Sequence, residues 1–294
     1  MILSTGLTPA WQQILVFSEF AVGQVNRATA ALACASGKVL NVGSALHQLG
    51  VHSKTLSLAG GKVGELLRAD FERLGAPVRW VPSQIPTRTC TTILDQKTNL
   101  TTELVENSHA VPHDELETFF HAFVEEVRAA QTVVITGSLP DGCPKNYFRR
   151  LLEKSHARSI LDIRGAELDE ALATRPFIVK PNCEELARTV GRDLDSSEDI
   201  FAAMAELRAR GAEWVVISQG ADPLLALGPD GRLQIDVPQV DVRNPIGCGD
   251  CLAAGIAVGL DKGLSMPDSL RCGVRAAGEN ASHLLPARGL SRLS

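Results

Sequence analysis

Short apolar runs alternate with helical patterns along the chain from about residue 130 onward. The runs are rich in β-favouring residues and lie at 133–136, 159–163, 177–179 and 214–218. Apolar residues recur at helical spacing in the segments between them, at 147–153, from 184 and at 197–210. This alternation predicts a mainly parallel sheet with helices on both faces. Two more helices are predicted near the end of the chain, at about 249–262 and 267–284.

The N-terminal third has a different pattern. Residues 87–94 and 101–105 are short, Thr-rich and β-favouring, and the polar segment 95–99 separates them. The pattern predicts a hairpin outside the main sheet. Two interpretations of this hairpin remain open. It forms either a lid over the crevice at the carboxyl ends of the parallel strands, or an edge hairpin with no part in ligand binding.

Composition and charge exclude several classes of protein. The chain has 294 residues, of which 45% are apolar and 21% charged, enough to bury a large core. The net charge of −5 and the scattered Lys and Arg residues argue against a nucleic-acid partner. No apolar run approaches the roughly 20 residues of a membrane span, and the N-terminus lacks a basic leader. Seven widely spaced cysteines suit reduced thiols, so we expect a cytoplasmic protein.

Candidate chemistry is concentrated near residue 250. The segment 244–255 places Gly247 and Gly249 directly before Asp250 and an apolar helix. Glycines let the backbone turn sharply, so that amide groups and the helix N-terminus can converge on an anion. Asp250 has two interpretations, a catalytic acid or a simple helix N-cap, and the local pattern alone favours the cap.

Five segments together resemble a known family. Residues 244–250, Asn-Pro-Ile-Gly-Cys-Gly-Asp, are similar to the Asn-Thr-x-Gly-Ala-Gly-Asp signature of pfkB/ribokinase-type carbohydrate kinases. Four other segments resemble family elements in the same order, at 36–41, 137–144, 180–186 and 218–220. Each match is weak, but five in order are specific, and the resemblance runs from residue 2 to about 289. Details at 23–27, 87–88, 102–103 and 180–182 are most similar to the 1-phosphofructokinase and tagatose-6-phosphate kinase branch.

The resemblance implies a particular fold and assembly. It implies an α/β, ribokinase-like three-layer sandwich with a mainly parallel central sheet and a small β lid. We expect residues 1–294 to form a single kinase domain, with the lid formed by segments near 11–34 and 85–107. Members of this family often pair through their lids, so we also expect a homodimer.

The resemblance also implies transfer of a phosphoryl group from ATP. Asp250 would be the catalytic base, and the amides of Gly247, Cys248 and Gly249 would bind the transferring group. Glu185, with Asn182, would hold waters around Mg²⁺, although a helix capping box explains the same pair. The predicted nucleotide contacts are Ser218, Gly220 and Asn280, and an ordinary turn is the alternative for the first two.

The substrate side departs from the family pattern. The residues predicted to bind the acceptor are Gln12, Gly37, Lys38, Asn41, Arg88, Glu103 and Ser138. The family usually has an acid at the position of Gln12, glycines at Ser36 and Val39, and asparagines at Cys90 and Val105. We therefore expect kinase chemistry with an acceptor that the sequence does not identify. The candidates are fructose-1-phosphate, fructose-6-phosphate and tagatose-6-phosphate; the alternatives are a kinase for a free sugar or nucleoside, and a non-catalytic binding protein.

A phosphorylated acceptor requires a cationic group in the pocket. Arg88 is the main candidate because a planar guanidinium binds phosphate through two hydrogen bonds. Arg27 is more typical of a solvated surface charge, and Lys38 has the alternatives of capping a helix or neutralising a nearby acid.

Two cysteines close to Asp250 raise a separate hypothesis. Cys248 and Cys251 form a lone Cys-x-x-Cys at a helix start, where a lowered thiol pKa would allow redox regulation. No second cysteine pair or histidine lies nearby in the sequence, so zinc is not expected. The histidines show no ligand spacing, and we assign them no metal.

Overall fold

The computed structural model describes residues 1–292, and its largest element is a nine-stranded sheet with the order β13-β12-β11-β10-β9-β8-β1-β4-β5. The strands are β1 Ile2–Gly6, β4 Ser53–Gly60, β5 Val78–Ser83, β8 Thr132–Thr136, β9 Arg158–Asp162, β10 Ile178–Val179, β11 Trp214–Gln219, β12 Asp222–Gly228 and β13 Gly231–Ile235. Pairing is parallel from β5 to β11 and antiparallel at β12 and β13. The four strands predicted after residue 130 are β8 to β11.

Helices cover both faces of this sheet. They are α1 Lys38–Gln48, α2 Gly61–Leu74, α3 His113–Val127, α4 Tyr147–Leu152, α5 Gly165–Leu172, α6 Cys183–Val190, α7 Ser197–Ala209, α8 Cys248–Asp261 and α9 Met266–Ala281. Successive strand residues point to opposite faces, so Val133 and Ile135 join one core while Val134 joins the other. The first core includes residues of α3 and α4, and the second includes residues of α1, α8 and α9. The predicted three-layer α/β fold is confirmed.

A second sheet of four strands lies apart from the large one, in the order β3-β2-β6-β7. Its strands are β2 Ala10–Phe17, β3 Ala30–Ser36, β6 Arg88–Asp95 and β7 Leu100–Val105. The predicted hairpin is confirmed as the antiparallel pair β6–β7. Strand β6 also pairs in parallel with β2, so the hairpin is half of a larger sheet. We call this four-stranded sheet the lid.

The sequence pattern did not predict the β12–β13 extension. This pair sits at the edge of the large sheet, and the residues 229–230 turn between its strands. Strand β13 alternates between exposed and buried or half-buried positions, because a strand at the edge of a sheet is only partly covered. Within residues 1–292, no helix is both long and apolar enough to cross a membrane.

Candidate active site

A cavity of about 710 Å³ lies between the lid and the carboxyl ends of the parallel strands. This edge of the sheet is where open α/β folds bind their ligands. The strand ends contribute Asp162 and Ser218, and the lid contributes Gln12, Arg88 and Glu103. The cavity also brings in Gly37, Lys38, Asn41, Ser138, Asn182, Glu185, Gly247, Gly249 and Asp250. Most of the residues predicted to form the site, from distant parts of the chain, therefore line one space.

The loop before α8 is built around a glycine. Gly247 has φ 85°, in the left-handed region that favours glycine, and α8 begins at the next residue. A Cβ atom at Gly247 would lie 2.9 Å from the Cβ atom of Pro286. Backbone conformation and packing therefore both require glycine at this position.

Two buried asparagines hold the same loop. The Nδ2 of Asn244 donates to the carbonyl of Leu284 at 2.7 Å, and its Oδ1 accepts from the amide of Ile246 at 3.0 Å. The Nδ2 of Asn280 donates to the carbonyl of Ile246 at 2.9 Å, and its Oδ1 accepts from the amide of Ala287 at 2.6 Å. Asn280 is fully buried and lies in the lining of neither large cavity. Asn280 therefore positions the loop, and its contact with the nucleotide stays a prediction.

The three amides predicted to bind a phosphoryl group are not equivalent. The amide of Cys248 donates to the carbonyl of Pro245 at 3.3 Å, which closes the turn. The amides of Gly247 and Gly249 have no acceptor among residues 1–292, because an amide at a helix start has no carbonyl four residues earlier within the helix. Gly247 and Gly249 are thus the available donors, and Cys248 mainly stabilises the turn.

Asp250 is buried, with 5% of its surface exposed, at the third position of α8. Its Oδ2 accepts a hydrogen bond of 2.7 Å from the Nδ2 of Asn41. The Oδ1 of Asn41 in turn accepts from the hydroxyl of Ser36 at 2.9 Å. The N-cap of α8 is Gly247, and no side chain caps the helix. The interpretation of Asp250 as an N-cap is therefore wrong.

The environment of Asp250 makes it easier to protonate. Burial, with a further contribution from the carboxylate of Asp162, raises its pKa to about 7. Lys38, the amide of Asn41 and Lys180 act in the opposite direction but do not cancel the effect of burial. A carboxyl group with a pKa near neutrality suits proton transfer at physiological pH, because it can both accept and release a proton.

An ion cluster that the sequence analysis did not predict lies beside Asp250. The Oδ1 of Asp162 is 3.1 Å from the Nζ of Lys38 and 3.5 Å from the Nζ of Lys180. Burial alone would raise the pKa of Asp162, but the two ammonium groups lower it. Both Asp162 and Lys180 are 3% exposed. The sequence feature that could have indicated this cluster is a charged residue directly after an apolar pair, at Asp162 and again at Lys180.

Lys38 is part of this cluster. Burial disfavours its charged form, but Asp162, Asp250 and Glu185 raise the pKa of Lys38 above its usual value. The alternative that Lys38 neutralises a nearby acid is thereby confirmed. Lys180 points toward the start of α8, since a Cβ atom added to Gly249 would lie 3.5 Å from the Nζ of Lys180.

Asn182 and Glu185 form a capping box at the start of α6. The Oδ1 of Asn182 accepts from the amide of Glu185 at 2.7 Å, and the Oε2 of Glu185 accepts from the amide of Asn182 at 3.0 Å. The capping interpretation is confirmed, and both residues also line the cavity. Among residues 1–292 no group of three His, Cys, Asp or Glu side chains could hold a metal. Glu185 and Asp162 still offer hard oxygen atoms, which suit a hydrated Mg²⁺ that arrives with phosphate.

A second cavity, of about 440 Å³, adjoins the first. It is lined mainly by apolar residues of β12, α8, α9 and the segment 237–242, and Ser218, Pro245 and Gly249 border both cavities. Two predicted nucleotide contacts, Ser218 and Gly220, line this second cavity. The pair of cavities therefore offers an apolar compartment connected to a charged one.

The two cysteines near Asp250 do not have the property that the redox hypothesis needs. Burial raises the pKa of the Cys248 thiol, although the side chain of Asn280 partly opposes the effect. Burial also raises the pKa of Cys251, which is fully buried. Both cysteines are free in the structure. The expected lowering of the thiol pKa is wrong, because at this helix start desolvation outweighs the helix dipole.

Arg88 is held in place on the cavity side of the lid. Its guanidinium donates to the carbonyl of Glu106 at 3.0 Å and to the carbonyl of Thr8 at 3.3 Å. Its Nε is buried and has no partner among the described residues. Arg27, the other candidate for a phosphate, is exposed in the loop between β2 and β3. Arg88 therefore lines the cavity with its guanidinium anchored at two points.

A large mostly parallel sheet, a lid and a buried carboxylate at a glycine-bounded helix start together define a ribokinase-like enzyme. The pfkB family carbohydrate kinase profile matches residues 12–290, so the chain belongs to this family and is a sugar kinase. The predicted family is confirmed.

Several solved structures have a similar fold. Phosphofructokinase-2 from Escherichia coli, in complex with substrates and products, is 26% identical with a TM-score of 0.90, and the match covers 99% of this chain and 95% of that one. A "possible 1-phosphofructokinase" from Thermotoga maritima is 21% identical with a TM-score of 0.89, over 97% and 93% of the chains. Arabidopsis thaliana ribokinase, complexed with ribose and ATP, is 20% identical with a TM-score of 0.77, over 99% and 95%.

Proposed function

We propose that this enzyme transfers the γ-phosphoryl group of Mg·ATP to a hydroxyl group of a sugar phosphate of the fructose-1-phosphate, fructose-6-phosphate or tagatose-6-phosphate class. The observation that carries the proposal is the position of Asp250. Its carboxylate is buried, held by Asn41, and next to the free amides at the start of α8. An acceptor hydroxyl bound there would meet a proton acceptor and an anion-binding backbone at the same point.

Different residues would accept the proton and stabilise the negative charge. The acceptor oxygen bonds to the γ-phosphorus as the bond from that phosphorus to the leaving ADP oxygen breaks, and the hydroxyl proton passes to Asp250. The amides of Gly247 and Gly249 stabilise charge on the transferring group. The buried ammonium of Lys180 lies close enough to Gly249 to add a positive charge to the same position.

The two cavities suit the two parts of ATP. The apolar cavity bordered by Ser218 and Gly220 fits a nucleotide base, and the charged cavity fits the phosphates. Glu185 would hold Mg²⁺ through water, and the ion would neutralise phosphate charge. ATP is a ligand of the Arabidopsis ribokinase of similar fold, which is consistent with this assignment.

Arg88 supports a phosphorylated acceptor over a free sugar or nucleoside. It is an anchored guanidinium in the lining of the cavity, and each of its terminal nitrogens makes one hydrogen bond to the protein and keeps one N–H group for a ligand. Escherichia coli phosphofructokinase-2, at 26% identity, is known in complex with fructose-6-phosphate. The choice among the three phosphates stays open at this point.

The test is ADP release with Mg·ATP and a panel of free and phosphorylated ketohexoses, with Asp250→Asn as the control. Activity with phosphorylated acceptors only, lost in the variant, would support the proposal. Equal activity with free sugars would favour the alternative of a free-sugar kinase. Binding of ATP with no turnover on any acceptor would favour a non-catalytic binding protein.

We further propose a cytoplasmic homodimer that pairs through the lid. Strand β7 exposes Leu100 by 65% and Leu104 by 54%, and the loop between β2 and β3 exposes Val22 by 90% and Val25 by 82%. Apolar side chains on an open sheet need cover. The mass in solution at micromolar concentration tests the dimer, and a monomer mass would refute it.

A further inference from the structure

The cavity-facing side of the lid contains a row of side chains with little hydrogen-bonding capacity. The β2–β6 register pairs Gln12 with Cys90, and the β6–β7 register pairs Cys90 with Val105. The three residues therefore lie side by side across three strands, and all three line the cavity. Arg88 lies in the neighbouring row on one side and Glu103 in the neighbouring row on the other.

Gln12 is the one residue in this row with an amide side chain, and the NH₂ group of that amide already donates hydrogen bonds within the protein. Its Nε2 donates to the hydroxyl of Thr92 at 2.7 Å and to the carbonyl of Gln13 at 3.3 Å. The side chain is 4% exposed, so packing keeps it in this orientation. Its Oε1 is the atom left for a ligand. Gln12 therefore offers a ligand one neutral acceptor and no donor.

The other two residues of the row, Cys90 and Val105, offer a ligand even less hydrogen-bonding capacity. Burial raises the pKa of the Cys90 thiol, which is therefore an uncharged and weak hydrogen-bonding group at neutral pH. Val105 has no polar side-chain atom. Neighbouring strands lie about 4.8 Å apart, so Cys90 and Val105 together face a strip comparable in width to a sugar ring.

Three polar side chains on the opposite side of the cavity are already engaged with other protein groups. The hydroxyl of Ser36 donates to Asn41, and the Nδ2 of Asn41 donates to Asp250. The Nζ of Lys38 is paired with Asp162. Cys90 is 5% exposed, so a ligand hydroxyl packed against it would lose its water and gain only a weakly hydrogen-bonding thiol. Val105 is 54% exposed and adds no polar atom to the strip. A C–H or methyl group at this place would lose nothing.

On the basis of the proposed function, we infer that the preferred acceptor is a deoxy sugar phosphate. Its phosphate binds Arg88, its reacting hydroxyl faces Asp250, and one further hydroxyl donates to Gln12. The carbon between these groups carries hydrogen or methyl in place of a hydroxyl and packs against Cys90 and Val105. The lid thus selects for an apolar position within an otherwise polar acceptor.

The experiment compares kcat/KM for fructose-6-phosphate, fructose-1-phosphate and tagatose-6-phosphate with those of their single-deoxy analogues. An apolar surface discriminates against an added hydroxyl by about 100-fold, so at least one deoxy analogue should exceed its parent by about 10- to 100-fold. Val105→Thr replaces a methyl with a hydroxyl at nearly constant shape, and should reduce that preference by about 10-fold. Cys90→Ser makes the same test on the neighbouring strand if Val105→Thr does not fold.

Thr102→Val is the matched control. Thr102 alternates with Glu103 and Val105 on β7, so it points to the other side of the lid and lies outside the cavity lining. This exchange of hydroxyl and methyl should leave the preference for the deoxy acceptor unchanged.

The outcomes separate this inference from the proposed function. If the fully hydroxylated acceptors are preferred and Val105→Thr has no effect, the inference is overturned, while ADP release that depends on Asp250 still supports the proposed function. If no acceptor in either series gives ADP release that depends on Asp250, both are refuted. A preference for a deoxy analogue that Thr102→Val weakens as much as Val105→Thr would also overturn the inference.

Discussion

Replacing the carboxylate of Asp250 with an amide should stabilise the protein at neutral pH while abolishing turnover. Burial raises the pKa of Asp250 to about 7 in the folded protein, against 3.8 for an ordinary aspartate. The folded state therefore binds the proton more tightly than the unfolded state does. The stability that this proton confers is fully present below about pH 4 and is lost as the pH rises toward 7.

The size of the effect follows from the separation of the two pKa values. About 3 pH units at about 1.36 kcal/mol per unit correspond to about 4 kcal/mol of lost stability above pH 7. Asp250→Asn does not titrate, and its side-chain oxygen can still accept from Asn41. Relative to the native protein, the variant should therefore gain about 1–2 kcal/mol at pH 5 and about 4 kcal/mol at pH 8.

The assay is urea unfolding of both proteins at several pH values between 4 and 8. The control is Asp230→Asn, which makes the same exchange of carboxylate for amide at an exposed position in the turn between β12 and β13. In parallel, kcat/KM of the native enzyme should rise with pH up to about 7 and then level off, as Asp250 loses its proton. A stability difference that is constant from pH 4 to pH 8 would refute the assignment of the raised pKa to Asp250.

Three further substitutions test other parts of the site. Lys180→Met should lower kcat by about 100-fold with little change in nucleotide binding, because it removes a buried charge beside Gly249; an unchanged kcat would leave Lys180 only the task of neutralising Asp162. Arg88→Ala should raise KM for a phosphorylated acceptor by about 10- to 100-fold, the value of a charged hydrogen bond, and equal KM values would contradict phosphate binding there. Gly247→Ala should destabilise the fold and abolish turnover, because its φ is 85° and its Cβ would press on Pro286. The control is Gly263→Ala, because Gly263 also has a left-handed φ of 74° but has no atom within 4 Å of the added Cβ. If the unfolding temperature falls equally in both variants, the contact with Pro286 is not the cause of the destabilisation.

The sequence alone determined the central strands β8 to β11 of the main sheet and the position of the glycine loop before Asp250. Strands that are buried on both faces must be continuously apolar, so the runs that became β8 to β11 were visible without any tertiary information. The loop before Asp250 was visible because a left-handed backbone at Gly247 needs glycine, a requirement that acts on a single residue. Strand burial and backbone conformation restrict single residues or short runs of residues, so both can be inferred from the sequence.

The tertiary structure decided which polar residues meet. Asn41 and Asp250 are 209 positions apart, and Lys38 and Asp162 are 124 apart, yet both pairs are in contact. No local pattern encodes these contacts, because they depend on how parallel strands align their carboxyl ends. The same holds for Asn280, which is buried beneath the loop and donates a hydrogen bond to the carbonyl of Ile246. Burial also reversed the expected change in the pKa of Cys248, since desolvation depends on every chain segment that packs around the thiol.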